Sequence, residues 1–121
     1  VSTILVVEDE FDVQQIVADV LRDEGHEVFV CGTGREALQR LSEFRPDVVL
    51  MDVMLPIFSG LQVLDVMRKT PGLDSVPVVL MSEAEPRGVQ PGHWQFFLKK
   101  PFRLEHLLDA VARVVGPVTL T

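Results

Sequence analysis

Val48-Val49-Leu50-Met51-Asp52 is an unbroken apolar run, rich in β-branched residues, that stops on a carboxylate. A run of this length fits a strand buried on both faces, and such strands belong to parallel sheets covered by helices. Ile4-Leu5-Val6-Val7, Val28-Phe29-Val30 and Val78-Val79-Leu80-Met81 repeat the pattern, and Gln95-Phe96-Phe97-Leu98 is a weaker fifth strand.

Helical periodicity fills the gaps. Val13, Ile16, Val17, Val20 and Leu21 recur at i, i+3, i+4, i+7 and i+8, which predicts one inward helix face stopped near Gly25. A second helix is expected from about Gly34 to Phe44, with Ala37, Leu38 and Leu41 inward and Pro46 forcing the exit. A third starts near Gly60, presents Val63, Leu64 and Met67, and ends before Pro71-Gly72. The last carries Leu104, Leu107, Leu108, Val111 and Val115 on one stripe and ends at Gly116-Pro117. Strands alternating with helices predict a doubly wound α/β domain with a five-stranded parallel sheet, one domain over residues 1–121.

Composition narrows the function classes. With 47% hydrophobic residues the chain can bury a core without disulfides, and its one cysteine, Cys31, cannot form an internal one. A net charge of -7, from 18 acidic against 11 basic residues, argues against direct nucleic-acid binding. The apolar runs are too short for a membrane span and no signal stretch opens the chain, so a cytoplasmic domain is expected. His26, His93 and His106 lack metal spacing.

In a doubly wound sheet, ligands bind beyond the carboxyl ends of the strands. The first strand leads into Glu8-Asp9, the third into Asp52, the fourth into Ser82 and the fifth into Lys99-Lys100-Pro101. One edge therefore gathers three carboxylates, a hydroxyl and an ammonium. Converging carboxylates repel one another and need a cation or a proton to coexist, and oxygen-only donors suit Mg²⁺ better than zinc.

These segments, Ile4 to Glu10, Val49 to Pro56 with Gly60, Met81-Ser82, and Phe97 to Phe102, resemble the successive motifs of the response-regulator receiver domains of two-component signalling, over nearly the whole chain. The resemblance implies a flavodoxin-like (βα)5 fold and a phosphorylation-dependent switch with no independent substrate turnover. It implies that Asp52 accepts the phosphoryl group from a histidine kinase or histidine phosphotransfer protein. Asp9 would be a direct Mg²⁺ ligand, Glu8 a ligand through water, and the main-chain carbonyl of Met54 a further ligand. Ser82 would bond a phosphoryl oxygen, and Lys100, rather than Lys99, would neutralise the transferring group. Ser82 and Phe97 would be the switch pair, a cis Lys100-Pro101 peptide is expected, and the signal would pass to an output domain or downstream protein.

The chain departs from that pattern in places. Between Ser82 and Phe97 the connection is short and holds two prolines and two glycines, so the helix expected there is reduced to a turn or an irregular loop. Glu83 stands where the family has a small residue, and Ser59 where Asp or Asn is usual. Phe97 can equally be an ordinary half-buried strand aromatic, while Trp94 and Phe96 can pack under the short connection or face a partner. Three other functions stand against this one. A receiver-like adaptor independent of phosphate would tolerate the altered connection. A phosphohydrolase of the haloacid-dehalogenase kind would need a second acid two residues after Asp52, where Met54 stands. A flavin site would need a phosphate cradle of small residues after the first strand, which ends in acids.

Overall fold

The computed structural model describes residues 2–86 and 93–115. In chain order the elements are β1 (Thr3–Val7), α1 (Phe11–Asp23), β2 (Glu27–Cys31), α2 (Gly34–Glu43), β3 (Val48–Asp52), α3 (Gly60–Arg68), β4 (Val78–Ser82), β5 (Phe96–Lys99) and α4 (Leu104–Val115). The strands form one parallel sheet in the order β2-β1-β3-β4-β5. The order reverses between β1 and β3, which places the carboxyl ends of these two strands side by side at the switch point.

Side-chain alternation divides the core into two layers. Leu5, Val7, Val49, Met51, Val78 and Leu80 face α2 and α3, where they meet Ala37, Leu41, Val63, Leu64 and Met67. Ile4, Val6, Val48, Leu50, Val79 and Met81 face α1 and α4, against Val17, Ala18, Leu21, Leu107 and Val111. The central strands are apolar at nearly every position because each successive residue enters one layer or the other. Truncating one such side chain, for instance Leu50→Ala, costs about 2–5 kcal/mol.

Local chemistry fixes the helix ends. Gly25, at φ 93°, closes α1 in a Schellman motif: its N–H donates to Arg22 O, and that of His26 to Leu21 O. Thr33 caps α2 by accepting from the Glu36 N–H at 3.0 Å. Ser59, which stands where the family pattern has Asp or Asn, forms a capping box with Gln62 and so starts α3 at Gly60.

Several expectations need correction. Ile16 and Leu104 belong to the apolar stripes of their helices, yet they are 53% and 41% exposed, because the sheet covers only the centre of each stripe. The β2 strand is an edge: Val28 is buried, but Phe29 and Val30 are only half-buried. The fifth strand runs one residue later than its sequence suggests. The stop at Gly116-Pro117 lies outside the described residues.

Among the described residues no helix joins β4 to β5, as the prolines and glycines predict. Side chains fasten the visible part of this connection. The Arg68 guanidinium, at the end of α3, donates through Nε to His93 O at 2.8 Å and through one terminal nitrogen to Leu73 O and Asp74 O. Gln95 pairs with Val78 twice, its N–H donating to Val78 O and its Oε1 accepting from the Val78 N–H. Trp94 meets Phe97 edge to face at 6.2 Å, and both pack on the layer shared with α2 and α3. Phe96 faces the opposite layer, beneath the Arg113 guanidinium.

Candidate functional site

Each chemical group at the sheet edge is delivered by the end of a strand. Asp52 is the last residue of β3 and Ser82 the last of β4, and both are buried, at 3% and 5% exposure. Glu8 follows β1, and its N–H donates to Cys31 O at 3.0 Å, which carries the sheet pairing one residue past the strand. Asp9 is exposed at the mouth.

Lys100 follows β5, and its N–H donates to Ser82 O at 2.7 Å. Its ammonium lies 2.7 Å from Asp52 Oδ2 and 2.8 Å from Glu8 Oε1. The Lys100-Pro101 peptide is cis, as expected. Lys99 is exposed. Asp52 Oδ1 accepts from the Met54 N–H at 2.8 Å, so both carboxylate oxygens have partners. Ser82 Oγ accepts a long 3.4 Å bond from the Ala84 N–H.

Glu8 is fully buried. Burial, then the neighbouring Asp52, pushes its carboxyl up to about 8, against the opposing pull of Lys100. Burial draws the Lys100 ammonium down, but its bonds to Asp52 and Glu8 outweigh this and hold it above the usual lysine range. Two buried acids share one cation here. Lys100 bridges them, within hydrogen-bonding distance of one oxygen of each.

The residues fit a hard divalent cation. Glu8, Asp9 and Asp52 can each offer one oxygen, all within 4.8 Å of one another. Among the described residues, Glu8 Oε2 is buried with no hydrogen-bond partner. An all-oxygen set of acids suits Mg²⁺ and offers zinc no nitrogen or sulfur.

Beside Lys100, α1 and the β5–α4 turn border an open groove of about 590 Å³, lined by Glu10, Val13, Ile16, Glu83, Phe102 and other residues. Glu83 is exposed. Phe97 is half-buried against Trp94.

The structure therefore brings Glu8, Asp9, Asp52 and Lys100 together, and sets Ser82 at the end of the strand next to that of Asp52. Two further contributors act on the backbone of the site. Gln14 donates from α1 to the main-chain oxygen of Glu8 at 3.0 Å. Gly60 packs on the backbone of Asp52 and Val53 so closely that no side chain fits. The glycine stands out within its motif, but neither residue carries a signature of what it touches.

Comparison with known proteins agrees with this geometry. The response regulator MtrA of Mycobacterium tuberculosis, described as DNA-binding, is 37% identical over 116 residues, covering 92% of this chain and 48% of the relative. The chain thus spans about half the length of the curated relatives it matches first. The polar-differentiation response regulator DivK of Brucella anthropi is 26% identical and is covered over 97% of its length. The chemotaxis response regulator CheY4 of Vibrio cholerae superposes with a TM-score of 0.86 at 31% identity, over 93% of this chain and 98% of that one. Among the described residues no helix is long and apolar enough to cross a membrane. Residues 4–112 match the response regulator receiver domain, and the chain belongs to that family, whose general function is phosphorylation-dependent signalling in two-component systems.

Proposed function

We propose that Asp52 is the phosphoacceptor of this domain and that Asp9, Asp52 and Glu8, with the Met54 carbonyl, hold the Mg²⁺ it requires. The observation that carries this is the Lys100 ammonium, 2.7 Å from a buried Asp52 carboxylate and 2.8 Å from Glu8, beside a cluster of acidic oxygens. One Asp52 oxygen forms a new P–O bond as the P–N bond of a phosphohistidine donor breaks, and the histidine leaves. Lys100 neutralises charge on the transferring group, and the Ser82 hydroxyl donates to one of its oxygens. Bound Mg²⁺ supplies Lewis-acid neutralisation of the phosphoryl oxygens.

The donor is a histidine kinase or phosphotransfer protein, met in the cytoplasm. Residues 1–121 act as one receiver domain that turns over no separate substrate. The signal passes to an output domain or to a downstream protein, and Ser82 and Phe97 are the pair that respond. That no helix stands between β4 and β5 among the described residues favours a second reading, an adaptor that binds partners without phosphate.

One experiment separates them. With a small phosphodonor and Mg²⁺, the wild type should gain one phosphoryl group by mass, and Asp52→Ala none. Equal labelling of Asp52→Ala, or of the wild type in excess EDTA, would show the site to be wrong. A wild type that takes up no phosphoryl group or beryllofluoride would establish the adaptor.

A further inference from the structure

We infer that Gln14 is a positioning residue for the cation-binding carboxylates: its side-chain amide fixes the peptide between Glu8 and Asp9 and so aims both acids at Asp52. This rests on reading Glu8, Asp9 and Asp52 as the Mg²⁺ site.

The main chain leaves the sheet at Glu8. The Glu8 N–H still reaches Cys31 O, but its carbonyl lies beyond the β1 ladder, in a residue with no exposed surface. A buried carbonyl needs a donor. Gln14 Nε2 supplies it at 3.0 Å, from a half-buried position in the first turns of α1. Only the amide nitrogen can donate to a carbonyl, so this contact sets which way the amide faces. Gln15 Nε2 lies 3.5 Å from Gln14 Oε1, a long contact of the matching sense. The Gln14 N–H donates to Glu10 O at 2.9 Å, so the residue is anchored by its own helix while it reaches back over the turn.

The geometric consequence follows from the planar peptide. The Glu8 carbonyl shares a rigid plane with the Asp9 N–H. Holding that oxygen fixes ψ of Glu8 and φ of Asp9, the two rotations that separate the directions of their side chains. One carboxylate is buried and the other exposed, yet their oxygens lie within 4.8 Å of each other and of Asp52. Without the amide, the plane can turn its carbonyl toward solvent. Lys100 still holds Glu8, but the Asp9 carboxylate loses its fixed direction.

The test uses the whole chain as wild type, Gln14→Met, which has similar length and no donor, and Gln14→Arg, which restores N–H donors. Mg²⁺ affinity is measured by calorimetry, and labelling by a small phosphodonor at limiting and saturating Mg²⁺. Gln14→Met should bind Mg²⁺ ~10–100-fold more weakly, the usual effect of losing a partner that orients metal ligands. Its labelling should fall at limiting Mg²⁺ and recover at saturation. Gln14→Arg should regain most of the affinity. Melts in EDTA report folding apart from metal, and Gln14→Ala carries the same test if Gln14→Met does not fold. A folded Gln14→Met with wild-type Mg²⁺ affinity overturns the inference, as does Gln14→Arg binding no better than Gln14→Met. A wild type that binds no Mg²⁺ instead overturns the reading of the site on which the inference rests.

Discussion

Adding a single methyl group at Gly60 should damage both stability and phosphorylation. Gly60 is the buried first residue of α3, and its N–H donates to Val53 O at 3.0 Å. A Cβ there would collide with the carbonyl oxygen of Asp52 and lie 3.0 Å from the Asp52 carbonyl carbon and the Val53 Cα. All three are backbone atoms, so no side chain can rotate away. That backbone is pinned in turn by the Val53 N–H on Met81 O at 2.9 Å and by the Met54 and Lys100 bonds to the Asp52 carboxylate. Overpacking of this kind costs about 1–3 kcal/mol, with the upper end expected when the obstacle is main chain. Alanine regains less than the ~1 kcal/mol it gains over glycine inside a helix, because Gly60 is at the first position. A net loss of about 2 kcal/mol would lower Tm by roughly 8 °C in a domain of this size. Urea melts in EDTA measure the first effect, and the labelling rate of Asp52 at saturating Mg²⁺ the second. Gly72→Ala is the control: its φ of 88° makes alanine costly by about 1–2 kcal/mol, but no atom outside its immediate chain neighbours comes within 4 Å. It should lose stability and keep its labelling rate. If Gly60→Ala melts within ~2 °C of the wild type and is labelled at an unchanged rate, the packing argument is wrong.

Three further outcomes follow from the same geometry. Lys100→Met leaves Glu8 and Asp52 buried without their cation, so melts in EDTA should show a loss of about 3–5 kcal/mol, and Mg²⁺ should raise Tm more than in the wild type. Cys31 is 2% exposed, and burial, reinforced by Glu36, pushes its thiol from 9.0 to about 12. The folded state therefore keeps its proton while the unfolded chain loses it, so this contribution is intact below pH 9 and fades up to about pH 12; Cys31→Ala should flatten that slope in urea melts. Glu83 borders the groove beside Lys100, so Glu83→Ala should speed labelling by a small anionic donor. A gain shared by Glu83→Gln and shrinking with salt would assign it to charge, whereas equal rates for all three proteins would show that Glu83 does not obstruct the donor.

The sequence alone carried the element order, the parallel sheet and the roster of acids, hydroxyl and lysine at the strand ends. Burial on both faces writes itself as continuous apolar runs, and where such a run meets a carboxylate the strand end is visible. The same local rules foretold that no helix would stand between β4 and β5 among the described residues, since prolines and glycines disfavour one. Only the tertiary structure decided which groups meet. Lys100 lies 92 residues from Glu8 and 48 from Asp52, and their contact depends on how the crossovers stack β1, β3, β4 and β5. It also decided that Ile16 and Leu104 stay partly in solvent, because periodicity fixes a helix face but not how far a neighbour extends across it. Gln14, Gly60 and Arg68 act on main-chain atoms, at carbonyls or on a backbone that admits no side chain. A carbonyl is the same in every residue, so no side-chain pattern records which one is left for another part of the chain to satisfy.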